Sequence, residues 1–131
     1  MKRTLLLFIL LVVMPSFLVL AGAYEIKGKT GNYIVKVAID KNPPERGNNN
    51  MTIYITDSSQ RHVTDARVKV NYLMPSLPGR PPMMDYNTEA TLSGNHYLTK
   101  MNLSMAGEWT IILGVSRAGK TETMKFSFFV K

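Results

Sequence analysis

Two hydrophobic patterns divide this chain. From Leu5 to Leu20 apolar residues run almost without interruption, broken only by Pro15 and Ser16; Lys2 and Arg3 precede the run and Ala21-Gly22-Ala23 follow it. A positive start, an apolar core and small residues at the A-x-A positions make the layout of a secretory signal. The stretch from Thr4 to Ala23 also just reaches the roughly 20 apolar residues that a spanning helix needs. Residues 1–23 are thus read either as a cleaved signal peptide or as a retained N-terminal anchor helix built on residues 5–20. Residues 24–131 are read as one domain, and on both readings that domain is exported: periplasmic or otherwise extracytoplasmic, soluble or anchored.

Beyond residue 23 the period changes to two. Tyr33, Val35, Val37 and Ile39 share one face of a first strand; Met51, Ile53 and Ile55 share one face of a second; Ala66, Val68, Val70 and Tyr72 share one face of a third. Strict alternation of this kind marks half-buried strands. It resumes at Tyr86, Thr88, Ala90 and Leu92, returns from His96 to Leu103 after the turn Ser93-Gly94-Asn95, and continues through Trp109, Ile111, Leu113 and Val115. A last strand holds Met124, Phe126, Phe128 and Val130, with Phe129 as an apolar exception on the outer face. Lys41 to Asn50, rich in Pro, Gly and Asn, reads as a turn region. About seven short strands and no helical period predict an all-β, immunoglobulin-like sandwich with Trp109 between its two sheets.

One stretch does not fit a ladder. Met74 to Met84 holds four prolines, at 75, 78, 81 and 82. Proline has no N–H to donate, so this segment is a loop or an edge.

Composition narrows the chemistry. The chain has 131 residues, no cysteine and a formal charge of +7, which becomes +5 without Lys2 and Arg3. A thiol nucleophile and a disulfide are both ruled out, so the fold is held by packing. The basic residues are scattered with no run of five, which gives no nucleic-acid footprint. His62 and His96 are the two histidines, and neither accompanies a nucleophile elbow, a zinc-protease helix or a phosphate loop. The chain is expected not to be an enzyme. Asn50-Met51-Thr52 and Asn102-Leu103-Ser104 match the glycosylation triplet and are read as accidental.

Methionine is the remaining candidate. Nine occur, seven of them after residue 23. Met51 and Met124 fall on inward strand faces as core filler. Met74, Met83 and Met84 flank the proline-rich loop, Met105 sits at a turn, and His96 and Met101 lie on the strand leading to it. Thioether sulfur is a soft, uncharged donor suited to Cu(I), and imidazole adds a borderline one. Met74, Met83, Met84, His96 and Met105 are accordingly the candidate metal ligands, with Cu(I) as the ion. The same methionines also suit a loop that needs adaptable apolar anchors. A structural or protein-interaction domain without metal therefore stands beside the metal-binding reading. Adjacent Met83 and Met84 point to opposite faces if extended, which works against both holding one ion side by side.

Several stretches resemble the YtkA-like domains, with kinship to the FixH proteins. They are Asp65-Ala66-Arg67-Val68-Lys69-Val70, then Met74-Pro75 with its loop, Gly94-Asn95-His96-Tyr97, and Leu103-Ser104-Met105-Ala106-Gly107-Glu108-Trp109-Thr110-Ile111. Their order covers about half of the exported part. The resemblance implies an immunoglobulin-like sandwich outside the cytoplasm, often anchored by one N-terminal segment. It also implies a link to copper or heavy-metal handling, with a membrane protein complex or metal-transport system as partner. Leu77 and Arg80 depart from the more methionine- and histidine-dense loops of such domains, and Arg80 places a fixed positive charge in the loop.

Overall fold

A computed structural model describes residues 22–76, 78–80 and 83–131. The expected signal or anchor falls almost wholly on residues 1–21, outside the described residues, as do Leu77, Pro81 and Pro82 of the loop. The described residues hold eight strands: β1 Tyr24–Thr30, β2 Tyr33–Ile39, β3 Gly47–Thr56, β4 Arg67–Met74, β5 Met84–Ser93, β6 His96–Leu103, β7 Gly107–Arg117 and β8 Lys120–Val130. All pairings are antiparallel, in the order β1-β2-β3-β6-β5-β4-β7-β8. Among these residues no helix is long and apolar enough to cross a membrane.

The sandwich arises because β5 belongs to both layers. Its Met84–Ala90 part pairs with β4, and its Thr91–Ser93 part pairs with β6. At the opposite edge β1 approaches β8: the Thr30 hydroxyl donates to the Thr123 carbonyl at 2.7 Å, and the Tyr24 ring meets Phe128 edge-on at 5.8 Å. The result is an immunoglobulin-like sandwich that nearly closes into a barrel.

The inward faces of β2, β3, β4 and β7 are those the alternation predicts. Val35, Val37, Ile39, Met51, Ile53, Ile55, Val68, Val70, Ile111, Leu113, Val115 and Trp109 are all fully buried. β5 departs from its pattern: Ala90 is buried, but Tyr86 and Leu92 stay about two-fifths exposed. A strand that leaves one sheet for the other cannot keep a single face on the core.

The eighth strand, β1, was not anticipated, because its alternation is broken at Gly28, where a core residue would be apolar. Met124 fills the space over the glycine: a Cβ there would lie 2.8 Å from the Met124 Cε, which would have to shift. The expected turn region at Lys41 to Asn50 is shorter than its composition suggests, because Gly47 to Asn50 extend β3 against Leu103 to Lys100. Asn49 makes this workable. It is fully buried, its amide donates to the Glu45 and Gly47 carbonyls at 2.7 and 3.0 Å, and its oxygen accepts the Glu45 N–H at 3.1 Å.

Tyr97 fastens the β3–β4 connection to the core. Its hydroxyl donates to the Val63 carbonyl at 2.9 Å and accepts the Ala66 N–H at 3.1 Å. Burial pushes its phenol above the ordinary tyrosine value. Tyr97→Phe leaves a buried carbonyl unpartnered. It is expected to cost about 1–3 kcal/mol, read as a lower denaturant midpoint at unchanged slope.

Candidate functional site: the methionine end of the sandwich

Strand direction decides which residues meet. Because neighbours run antiparallel, one end of the sandwich collects Tyr24, Ile39, Gly47, Met74, Met84, Leu103, Gly107 and Val130. The other collects Thr30, Thr56, Arg67, Ser93, His96 and Lys120. The β4–β5 loop and the β6–β7 turn therefore lie at the same end, and they bring four of the five candidate ligands with them.

Met74 ends β4 directly opposite Met84, which opens β5. Directly opposed residues share a face of the sheet. Met74 is 8% exposed and belongs to the core. Met84 sits at the rim, half-buried, where its sulfur accepts the Ser104 hydroxyl at 3.2 Å and lies 3.9 Å from the Tyr86 hydroxyl. Met83 precedes it on the outside, 65% exposed, and its N–H donates to the Met74 carbonyl at 3.1 Å to close the loop. Met105 is 40% exposed, and its main-chain carbonyl accepts the Trp109 indole N–H at 3.0 Å.

The structure does not bring His96 to these methionines. β6 runs from His96 to Leu103, so its seven steps separate the two ends by about 23 Å. The His96 ring lies 5.3 Å from Tyr54, and its Nδ1 faces the Asn95 oxygen at 3.2 Å. His62 is also at the far end. It lines a shallow cleft of about 410 Å³ on the outer face with Lys27, Lys36, Tyr54 and Gln60. Met51 and Met101 are fully buried, and Met124 is tucked beneath Gly28.

Two features of this end were not singled out from the sequence. Ser104 supplies the hydroxyl on the Met84 sulfur. Tyr72, Tyr86 and Trp109 form an aromatic group beneath the methionines, with centroids 5.3 Å apart for the two tyrosines and 6.0 and 6.4 Å from each to the indole. Sulfur packs favourably against aromatic rings. The signal was present: Tyr72 and Tyr86 stand two residues from Met74 and Met84, in the same strand phase.

Gly107 explains how the β6–β7 turn fits against β4. Its φ is +132°, and a Cβ there would meet the Met74 Cε at 2.7 Å. Gly107→Ala is expected to destabilise the fold by about 1–3 kcal/mol through backbone strain and overpacking. Shortening Met74 in the same protein should restore only the packing part, as thermal unfolding of the two variants will measure.

The chemistry on offer at this end is soft. Among the described residues no group of three or more His, Asp or Glu side chains could hold a metal ion. What the methionines bring to this end are thioether donors, which favour Cu(I) over harder ions.

Fold and site together define a small β-sandwich module with a methionine-lined end. The profile of the YtkA-like family matches residues 27–114, well over half of the chain, and the protein belongs to that family. Among solved structures it is similar to the PmoD soluble domain from Methylocystis sp. ATCC 49242 (Rockwell). That likeness has 15% identity and a TM-score of 0.54, and covers 83% of this chain and 98% of that one. A more distant similarity, to the β-glucuronidase of Parabacteroides merdae, has 12% identity and a TM-score of 0.41, and covers 83% of this chain and 13% of that one. At 15% identity the PmoD likeness is one of fold alone. No curated protein matches.

Proposed function

We propose that this protein is an exported, non-enzymatic binding module that holds Cu(I) as cargo at the methionine end. Met83, Met84 and Met105 are its accessible thioether donors, and Met74 backs them from the core side. The observation that carries this reading is the gathering of four methionines by the β4–β5 register and the β6–β7 turn. Chemistry supports it as well: a thioether carries no proton to lose and cannot be consumed in a disulfide, which suits a cysteine-free exported domain. The residues present fit a soft monovalent ion and offer little to a hard one.

Titrating the protein with Cu(I) against a chromogenic chelator under reducing conditions tests this directly. One site per chain is expected, and no transfer from the chelator would end the proposal.

A second reading has its own support. Met83, Met105 and Phe129 are 65%, 40% and 71% exposed, and exposed apolar groups gathered together mark contact surfaces. On that reading the domain is an accessory piece of a membrane complex. It would copurify with its complex from membranes and take up no copper.

A further inference from the structure

The covalent path of the chain says what this exposed apolar end faces. Tyr24 opens β1 at the methionine end, paired with Ile39, and its ring rests on Phe128. The apolar stretch Leu5 to Leu20 joins the domain at that same end. The four steps from Leu20 to Tyr24 reach at most about 14 Å when fully extended. Any bilayer that holds residues 5–20 therefore lies within that distance of Tyr24, at the end of the sandwich that carries Met83, Met84 and Met105 and opposite the end that carries His96.

The side chains at this end suit such a neighbour. Phe129 and Met83, at 71% and 65%, are the most exposed large apolar residues described. Phe129 pairs with Glu108 on the strand that follows the Met105 turn, which places it beside that turn. Arg46, Arg80 and Lys131 are exposed at the same end and make no ion pair among the described residues. Long basic side chains beside exposed apolar ones are the composition that sits in a headgroup layer, with charge on phosphate and apolar groups below it. The tight turns at the opposite end, Gly31-Asn32, Asp57 to Gln60, Gly94-Asn95 and Ala118-Gly119, carry no large apolar side chain, and the apolar residues exposed on the strands there, Ile34, Leu92 and Leu98, are only 38–43% exposed.

We propose that residues 5–20 remain in the bilayer and that the methionine end rests on its surface, with Met83, Met105 and Phe129 in the headgroup layer. Cargo at this end would then be exchanged at the membrane face rather than with the open compartment. The inference does not depend on copper uptake, and its test is made without copper.

The lack of native cysteine allows single labels to be placed cleanly. The full chain, carrying M83C, M105C or F129C with a nitroxide label, is reconstituted into phosphatidylcholine–phosphatidylglycerol vesicles. N32C and S58C, both at exposed positions of the far end, serve as controls. On passing from detergent to vesicles, labels at 83, 105 and 129 should lose several-fold in collisions with a water-soluble nickel chelate, while those at 32 and 58 stay unchanged. Equal accessibility at all five positions would overturn the proposal. So would a mature protein beginning at residue 24, or protection that appears only when native membrane proteins are added, which would make the surface a protein contact.

Discussion

Trp109→Ala is expected to remove a large share of the domain's stability, about 3–5 kcal/mol. Trp109 is fully buried and heads the set of largest enclosed side chains. Its ring packs between the sheets against Tyr72 and Tyr86, and its indole N–H holds the Met105 carbonyl at 3.0 Å. Truncating such a residue costs about 3–5 kcal/mol in transfer and cavity terms. A domain of this size has only about 5–15 kcal/mol in total, and here no disulfide adds to it. Urea unfolding followed by far-ultraviolet circular dichroism is the measurement. A loss below about 1 kcal/mol would mean that the indole is not central to the core. Trp109→Phe keeps most of the apolar volume and removes the hydrogen bond to Met105. It should therefore cost less, and its effect should centre on the β6–β7 turn, visible as faster amide exchange there.

That residue also shows how much of the architecture was legible beforehand. Strict alternation around Trp109, and in β2, β3 and β4, was enough to place the inward faces, because each of those strands stays in one sheet and buries one side. Legibility failed where a second constraint competed with hydrophobicity. In β1 the core position is Gly28, emptied to admit Met124, so the pattern lost its apolar mark. At the start of β3 three successive asparagines looked like a turn; Asn49 is instead a buried side chain that satisfies its own loop. In β5 the strand changes sheets, and no local pattern encodes a partner switch.

The site was partly legible for the same reason. That Met74, Met83 and Met84 lie together follows from a loop that must return. That Met105 joins them depends on β6 running back to the same end, a matter of strand parity. Parity equally sends His96 away: it opens the strand that Leu103 closes, so a residue seven positions before the end of β6 could never reach the methionines. Proximity in sequence to the Met105 turn suggested a shared site, but an extended strand separates what a helix would have kept close.

Replacing Met83 and Met84 together with leucine should remove most Cu(I) affinity while leaving the fold in place. Leucine conserves volume and apolarity, so the stability change should stay under about 1.5 kcal/mol. Each single replacement is expected to weaken binding by at least about tenfold, the equivalent of about 1.4 kcal/mol. Met105→Leu should fall in the same range. Met74→Leu should matter less, since Met74 is 8% exposed and acts from within the core. His96→Asn should leave affinity unchanged, because its strand holds it at the far end. Ser104→Ala sharpens the assignment: the Met84 sulfur now accepts that hydroxyl at 3.2 Å, which draws on the electron density an ion would share. Removing the hydroxyl should raise affinity slightly if Met84 is a ligand and do nothing if it is not. Chelator competition across these variants separates the outcomes. Full affinity in the Met83/Met84 double variant, or its loss on changing His96, would place the copper elsewhere and leave the methionine end as a contact surface alone.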